Sequence, residues 1–410
     1  MPTKREQSGA SSGSAERAAL RPQGNVPTLR FPGFTDEWLR LPLNNVLEKV
    51  ENGANYNPNE TTGLPMSRIE TISKGVIDYD RVGYCSEVNR LGRYRMRKGD
   101  ILLSHINSVK HIGKSAYYEE EQPLYHGMNL LLMRSNNSTD SKFLFYLVNN
   151  SCFLRRCQIL AKQAVNQASL STSDLKGIVI NIPSKSEQKK IADFLSLLDE
   201  RIALQRKLIE DLKKLKSAIV ERLYGQYSSR IRIGTIIKPV SIRNRDGGEL
   251  EVMSVSNKYG FIAQLEQFEE RLVASEDTSN YKVITPGIFA YNPARINVGS
   301  IAQYKGDRPC IVSPMYICFE CGEQVIGGYL EHFFSTKYFH KEMEKRLEGS
   351  VRLCLSFEAL CNIPISLPTI EQQQKYAHVV DIISEQISTE TGILQAYQKQ
   401  KLYLLSAMFI

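Results

Sequence analysis

The chain has 410 residues, too many for one hydrophobic core and enough for two to four domains. Hydrophobic residues at 42% and charged residues at 23% describe an ordinary soluble globular protein, and no apolar run approaches the roughly 18–20 residues that span a bilayer. The formal charge of +8 favours nucleic acid or another anionic partner without requiring one.

Residues 1–28 lack the apolar core of a secretory signal and are rich in Ser, Gly and charge, so they read as a disordered leader on a cytosolic protein. In that compartment the eight cysteines are expected as reduced, packed thiols. Cys318-Phe-Glu-Cys321 is the one CxxC, and it sits in MYICFEC, a buried-strand pattern with no second ligand pair to complete a zinc site.

A first globular region, residues 29–182, opens on Leu39-Arg40-Leu41 and continues through short apolar runs broken by Gly, Pro and Asn. Lys98-Gly99-Asp100 is a turn, DILLSH and NLLLMR are strands, and SKFLFYLVNN is a helix. Pro183 ends a strand, and about forty residues without Pro follow. There Ile191, Leu195, Leu198, Ile202, Ile209, Leu212, Ile219 and Leu223 recur at alternating four and three steps, interrupted by Gln205 and Lys216. This is the seam of a coiled-coil helix, assigned to residues 183–228.

The second half repeats the first. LSTSDLKGIVINIPSKSEQKKIADFLSLL begins at Leu170, and LSFEALCNIPISLPTIEQQQKYAHVVDII begins at Leu355, 185 residues later and without a gap. Ile231-Arg232-Ile233 echoes the opening strand, Thr285-Pro286-Gly287 the turn, and GIFAYN and PMYICFE supply strands of a second globular region at 229–367. The second helix, 368–410, carries the seam Tyr376, Val380, Ile383, Ile387, Leu394, Tyr397, Leu404 and Met408, with Glu390 and Lys401 at the places of Gln205 and Lys216. The expected fold is therefore α+β: two similar globular domains, each followed by a helix about 60 Å long at 1.5 Å per residue. So long a rod outruns its own domain, so the two helices are expected to pair as an antiparallel coiled coil with pseudo-two-fold symmetry. The polar interruptions either fix register or face something outside the chain.

No catalytic motif is legible. Gly113-Lys114-Ser115 lacks the leading glycine of a phosphate loop, Tyr291-Asn292-Pro293-Ala294 lacks the second Pro and aromatic of an amino-methyltransferase corner, and the six histidines show no metal spacing. What remains is Arg, Lys, His and Asn in loops: Arg93, Arg95, His105, Asn107, Lys110, His111 and Lys114 in the first region, and Arg243, Asn244, Arg245, Arg295 and Asn297 in the second. These side chains suit phosphates and base edges, and equally a solvated surface.

The chain resembles the specificity subunits of type I restriction–modification systems. LRFPGFTDEWLRLPL at Leu29–Leu43 is similar to their opening, Lys98-Gly99-Asp100-Ile101-Leu102 to an internal segment, and the repeated Leu-Ser…Ile-x-Ile-Pro…Glu-Gln-x-Lys-Ile-Ala to their repeated region. Thr285-Pro286-Gly287 departs from the pattern by lacking the Asp, and Tyr376 stands where the first copy has Ile191. The resemblance implies a non-catalytic subunit whose two target-recognition domains each read half of a split, asymmetric DNA site. It also implies helices that space the domains and dock two methyltransferase subunits, with translocase/endonuclease subunits joining that core. No cofactor is implied in this chain; S-adenosylmethionine, ATP and Mg belong to the partner subunits. The competing readings are a stand-alone DNA-modifying enzyme and a coiled-coil adaptor without DNA affinity.

Overall fold

The computed structural model describes residues 25–163, 167–225, 230–245, 247–264, 277–349 and 352–410. The chain forms two compact units, residues 1–204 with 394–410 and residues 205–393. The divisions cut across the long helices rather than at their ends, because each unit contains a globular part and a stretch of both helices. Most of the expected leader lies outside the described residues. At the described end of it the Asn25 carbonyl accepts the Trp38 N–H at 3.0 Å, and just beyond it the Leu29 N–H donates to the Ala407 carbonyl at 2.9 Å.

The main elements of the first unit are β1 (Leu39–Pro42), β2 (Leu47–Asn52), β3 (Ile101–Ser104), β4 (Ser115–Tyr117), β5 (Leu130–Ser135), α1 (Ser141–Val148), α2 (Ser151–Leu160), α3 (Thr172–Gly177) and β6 (Val179–Ile182). Then comes α4 (Lys185–Gly225), 41 residues without a break. Four strands make an antiparallel sheet in the order β2-β5-β3-β4. Both faces are covered, which is why DILLS and NLLLM read as continuous apolar runs rather than alternating ones. Ile101, Leu103, Leu131 and Met133 join Phe143, Leu144 and Leu147 in one cluster, while Leu102, Leu130 and Leu132 join Ile72, Met96 and Tyr118 in another. β1 pairs with β6, Leu39 opposite Ile182.

The turn before β3 shows what its residues are for. Gly99 has φ +95°, which a side chain would strain. Asp100 accepts from the Arg97 N–H and binds Arg134 in a buried two-pronged ion pair at 2.7 and 2.8 Å. In the second unit Gly287 keeps the positive φ, +93°, without the Asp.

The second unit has the same plan. Its elements are β7 (Ile231–Arg232), β8 (Ile237–Val240), β9 (Met253–Ser256), β10 (Gly260–Ala263), β11 (Phe289–Tyr291), β12 (Ile301–Gln303), β13 (Ile317–Cys321), α5 (Gly327–Phe333), α6 (Lys337–Glu344), α7 (Phe357–Cys361), β14 (Pro364–Ile365) and the start of α8 (Ile370–Ala407). The sheet order β8-β13-β11-β12 matches that of the first unit strand for strand, and β7 pairs with β14 as β1 pairs with β6. Cys318 and Cys321 lie on β13, where burial pushes both thiols up to about 11.

The repeated sentence in the sequence is largely an inward-facing one. Leu170 and Leu355 are buried, as are Leu175 and Leu360. Ser171 and Ser356 cap α3 and α7, their hydroxyls accepting the N–H of Asp174 and Ala359. Gln188 and Gln373 are buried clamps. The Gln188 amide donates to the Pro183 carbonyl and accepts the N–H of Asp140, the residue capping α1. The Gln373 amide donates to the carbonyls of Pro368 and Gln324 and accepts the N–H of Ile326, which precedes α5. Each ties the root of a long helix to the start of a shorter one, α4 to α1 and α8 to α5.

The helices pair antiparallel in both units. In the first, Ile191 and Leu195 from early α4 share a core with Leu404 and Met408 from late α8. There Asp199 accepts from the Lys401 ammonium at 2.5 Å and from the Tyr146 hydroxyl at 2.8 Å. In the second, Val220 and Tyr224 from late α4 cluster with Val380 from early α8. Lys216 is half-buried there, and burial lowers its pKa against the opposing pull of Asp381. Of the sixteen apolar seam residues, Ile191, Leu195, Ile202, Ile209, Val380, Leu404 and Met408 are buried and the other nine half-buried. The polar positions Gln205, Lys216, Glu390 and Lys401 are half-buried as well, which favours the register role.

Another set of apolar side chains on these helices faces outward. Phe194, Leu197 and Leu208 on α4, and their repeat equivalents Val379, Ile382 and Ile393 on α8, are all exposed. Among the described residues no helix is long and apolar enough to cross a membrane.

Candidate nucleic-acid interface

Each sheet carries its candidate loop in the same place, between its third and fourth strands. In the first unit the loop leaves β3 at Ser104 and returns through Gly113, φ +84°, with the Ser104 N–H on the Lys114 carbonyl at 2.8 Å. In the second it leaves β11 and returns through Gly299, φ +91°, with the Asn292 N–H on the Ser300 carbonyl at 3.1 Å. Each loop is also held at its root by the repeat. The Leu170 N–H donates to the His105 carbonyl, and the Leu355 N–H donates to the Pro293 carbonyl. A repeated frame thus presents a loop whose residues differ between the halves.

On the first loop, Asn107, His111 and Lys114 converge on one cleft of about 190 Å³, with Ile69 and Ile72 among its walls. Asn107 donates to the Ser104 hydroxyl at 3.3 Å, and the Ser108 hydroxyl lies 2.8 Å from His111 Nδ1. Partial burial and then the charges of Lys114 and Lys110 hold the His111 imidazole below its usual pKa. Lys110, Arg93 and Arg95 are exposed, with the Arg93 guanidinium 4.6 Å from the Tyr94 ring centre.

His105 does not belong with them. It is only 8% exposed, and burial pushes its pKa down to about 4. An imidazole so enclosed and uncharged is a core group, not a phosphate contact.

In the second unit, Arg295 and Asn297 are exposed on a short turn, Ile296–Val298. Arg243 is exposed but tethered, donating to the Asn280 carbonyl and side-chain oxygen, each at 3.2 Å. Arg245 is exposed and has no such tether among the described hydrogen bonds. Asn244 is buried: its amide donates to the Gly248 carbonyl at 3.1 Å and bridges to Thr278, which makes it a loop fastener. Both corrections have one cause. A sequence shows a polar residue in a loop, but not whether the loop folds it inward. Sequence reasoning also passed over the β9–β10 hairpin, although Asn257-Lys258-Tyr259-Gly260 between two apolar runs is a turn signal.

Residues 36–214 match the family model described as the type I restriction modification DNA specificity domain. The chain is 29% identical over 404 residues to a Methanocaldococcus jannaschii protein whose name assigns it as the MjaX type I restriction enzyme specificity subunit; the match covers 91% of this chain and 93% of that one. Among solved structures it is similar to the type I restriction–modification S subunit from M. genitalium, with TM-score 0.58, 16% identity, and coverage of 94% and 99% of the two chains. A second similar chain, with TM-score 0.54 and 15% identity over 91% and 97% of the chains, comes from work on complex assembly and conformational transition of the type I R-M system. Through a matched domain, through a relative along nearly its whole length and in its fold, the chain is similar to the specificity subunits of type I restriction–modification systems.

Proposed function

We propose that each globular part reads one half of a bipartite, asymmetric DNA sequence, and that the paired helices set the gap between the halves and dock two methyltransferase subunits. The chain itself is the non-catalytic member of that complex; translocase/endonuclease subunits join the same core, in the cytoplasm where the DNA lies. The observation that carries the reading is the strand-for-strand identity of the two sheets, each presenting a loop of different chemistry from the same position. Phosphate contacts through Lys110, Lys114, Arg295 and the exposed Arg93, Arg95, Arg243 and Arg245 would position the duplex, with Asn107, His111 and Asn297 available to base edges.

Docking of two identical partners is supported by the outward apolar pairs Phe194/Val379, Leu197/Ile382 and Leu208/Ile393. They repeat with the helices, so one partner surface fits both copies. The test is assembly with the methyltransferase followed by DNA binding at two salt concentrations. The reading expects two methyltransferase copies per chain, one copy after Leu197→Asp, and an affinity that falls steeply with salt. A complex without salt-sensitive DNA affinity would favour the adaptor reading.

A further inference from the structure

The β9–β10 hairpin ends in a three-residue loop, Asn257-Lys258-Tyr259, closed by Gly260 at φ +68° with Ser256 opposite Gly260. Tyr259 stands at the tip with 67% of its surface exposed, and the Lys258 ammonium lies 4.7 Å from the centre of its ring. The tip is not free to wander. The Ser300 hydroxyl donates to the Val255 carbonyl at 2.7 Å, Phe261 packs on Tyr304 with ring centres 5.1 Å apart, and Gly299 comes up against Asn257. These contacts fix the hairpin beside the turn that carries Arg295, Asn297 and Val298, all three exposed. An aromatic ring, an aliphatic side chain, an amide and two cations are therefore exposed on two neighbouring turns.

We infer that this hairpin tip is a DNA-contacting element of the second domain, with the Tyr259 ring packing against the bases or sugars of its half-site and Lys258 meeting a phosphate. The inference rests on the proposed DNA-reading function and adds to it a residue class that hydrogen-bonding arguments overlook. An exposed tyrosine offers a flat apolar face with a polar tip, the combination enriched at interfaces. Proteins press such rings or other apolar wedges against unstacked or groove-exposed bases, and basic neighbours draw the backbone toward them. Lys258 and Arg295 supply charge complementarity to a phosphate backbone. A rigid hairpin also loses little entropy when it docks.

The test uses the full chain assembled with its methyltransferase subunits and a duplex carrying the target mapped for the wild-type complex. Tyr259→Ala is expected to weaken binding about tenfold, Tyr259→Phe to bind like wild type, and Lys258→Ala to lower the slope of log affinity against log salt by about one. Substituted bases in the second half-site should be tolerated better by Tyr259→Ala, while the first half-site is read as before. Tyr259 is exposed, so the variant should fold, and matching circular dichroism with unchanged methyltransferase capture checks this. A folded Tyr259→Ala complex that binds the duplex like wild type overturns the inference, as does one that loses methyltransferase capture with DNA binding intact. If the wild-type complex itself shows no sequence-dependent binding, the DNA-reading function fails first and takes this inference with it.

Discussion

Gln205 and Glu390 hold the same place in the two copies of the repeat, and they meet each other. The Gln205 amide donates to the Glu390 carboxylate at 2.5 Å and to its backbone carbonyl at 3.1 Å. Two antiparallel helices bring equivalent positions of a repeat face to face at one place only. That position should tolerate an exchange of partners.

Gln205→Glu should set two carboxylates against each other in a half-buried seam and cost about 1–2 kcal/mol. The exchange Gln205→Glu with Glu390→Gln should restore most of that loss. Urea denaturation of the four species gives the coupling energy. Additive effects would show that the contact contributes nothing.

The clamps should matter more than their polarity suggests. Gln188→Ala leaves the Pro183 carbonyl and the Asp140 N–H without their partner in a buried site, which should cost about 2–3 kcal/mol. Gln373→Ala should do the same in the second unit. Gln372→Ala, which loses only an exposed cap on Thr369, should cost far less. Equal costs at the three positions would contradict the clamp role.

Acid should attack the first unit through its buried histidines. His105 and His126 are enclosed, and burial lowers both to about 4 from an ordinary value of 6.5. An imidazole whose folded pKa is depressed favours the unfolded state once protons are available. The stability tied to it is complete above pH 6.5 and is lost as pH falls from 6.5 toward 4. Each contributes a swing on the order of 3 kcal/mol across that window. His126→Gln, which can still donate to the Leu130 carbonyl as Nε2 does at 3.0 Å, should flatten the pH profile of unfolding there. An unchanged profile would show that these groups do not titrate on unfolding.

Much of this architecture is legible in the sequence because it rests on periodicity and on duplicated text. The heptad seam needs only apolar residues at alternating four and three steps, and α4 and α8 follow it. The duplicated Leu-Ser and Pro…Gln segments mark the frame, although their meaning was less visible. Gln188 reads as one polar residue among many until the N–H of Asp140, 48 positions away, is seen beneath it. The same blindness to long-range contact made His105 and Asn244 look like surface groups. It also hid Tyr259, whose significance lies in its distance from any core and its closeness to Arg295's turn.

A fragment ending after the first helix leaves the seam from Ile191 to Leu223 without Tyr376 to Met408. Burying such apolar side chains stabilises by roughly 1.5–3 kcal/mol each before entropy is counted, so residues 29–228 should form a two-fold homodimer. Sedimentation should report twice the fragment mass, and with the methyltransferase the dimer should modify a palindrome of one half-site. A soluble folded monomer would contradict the antiparallel pairing argument.

The most direct measurement is a methylation map of cells carrying a chimera in which residues 229–367 are replaced by the corresponding region of a type I specificity subunit with a different target. Independent reading by two domains predicts that one half of the modified motif changes while the other half and the gap between them persist. A motif in which both halves change together would contradict the account.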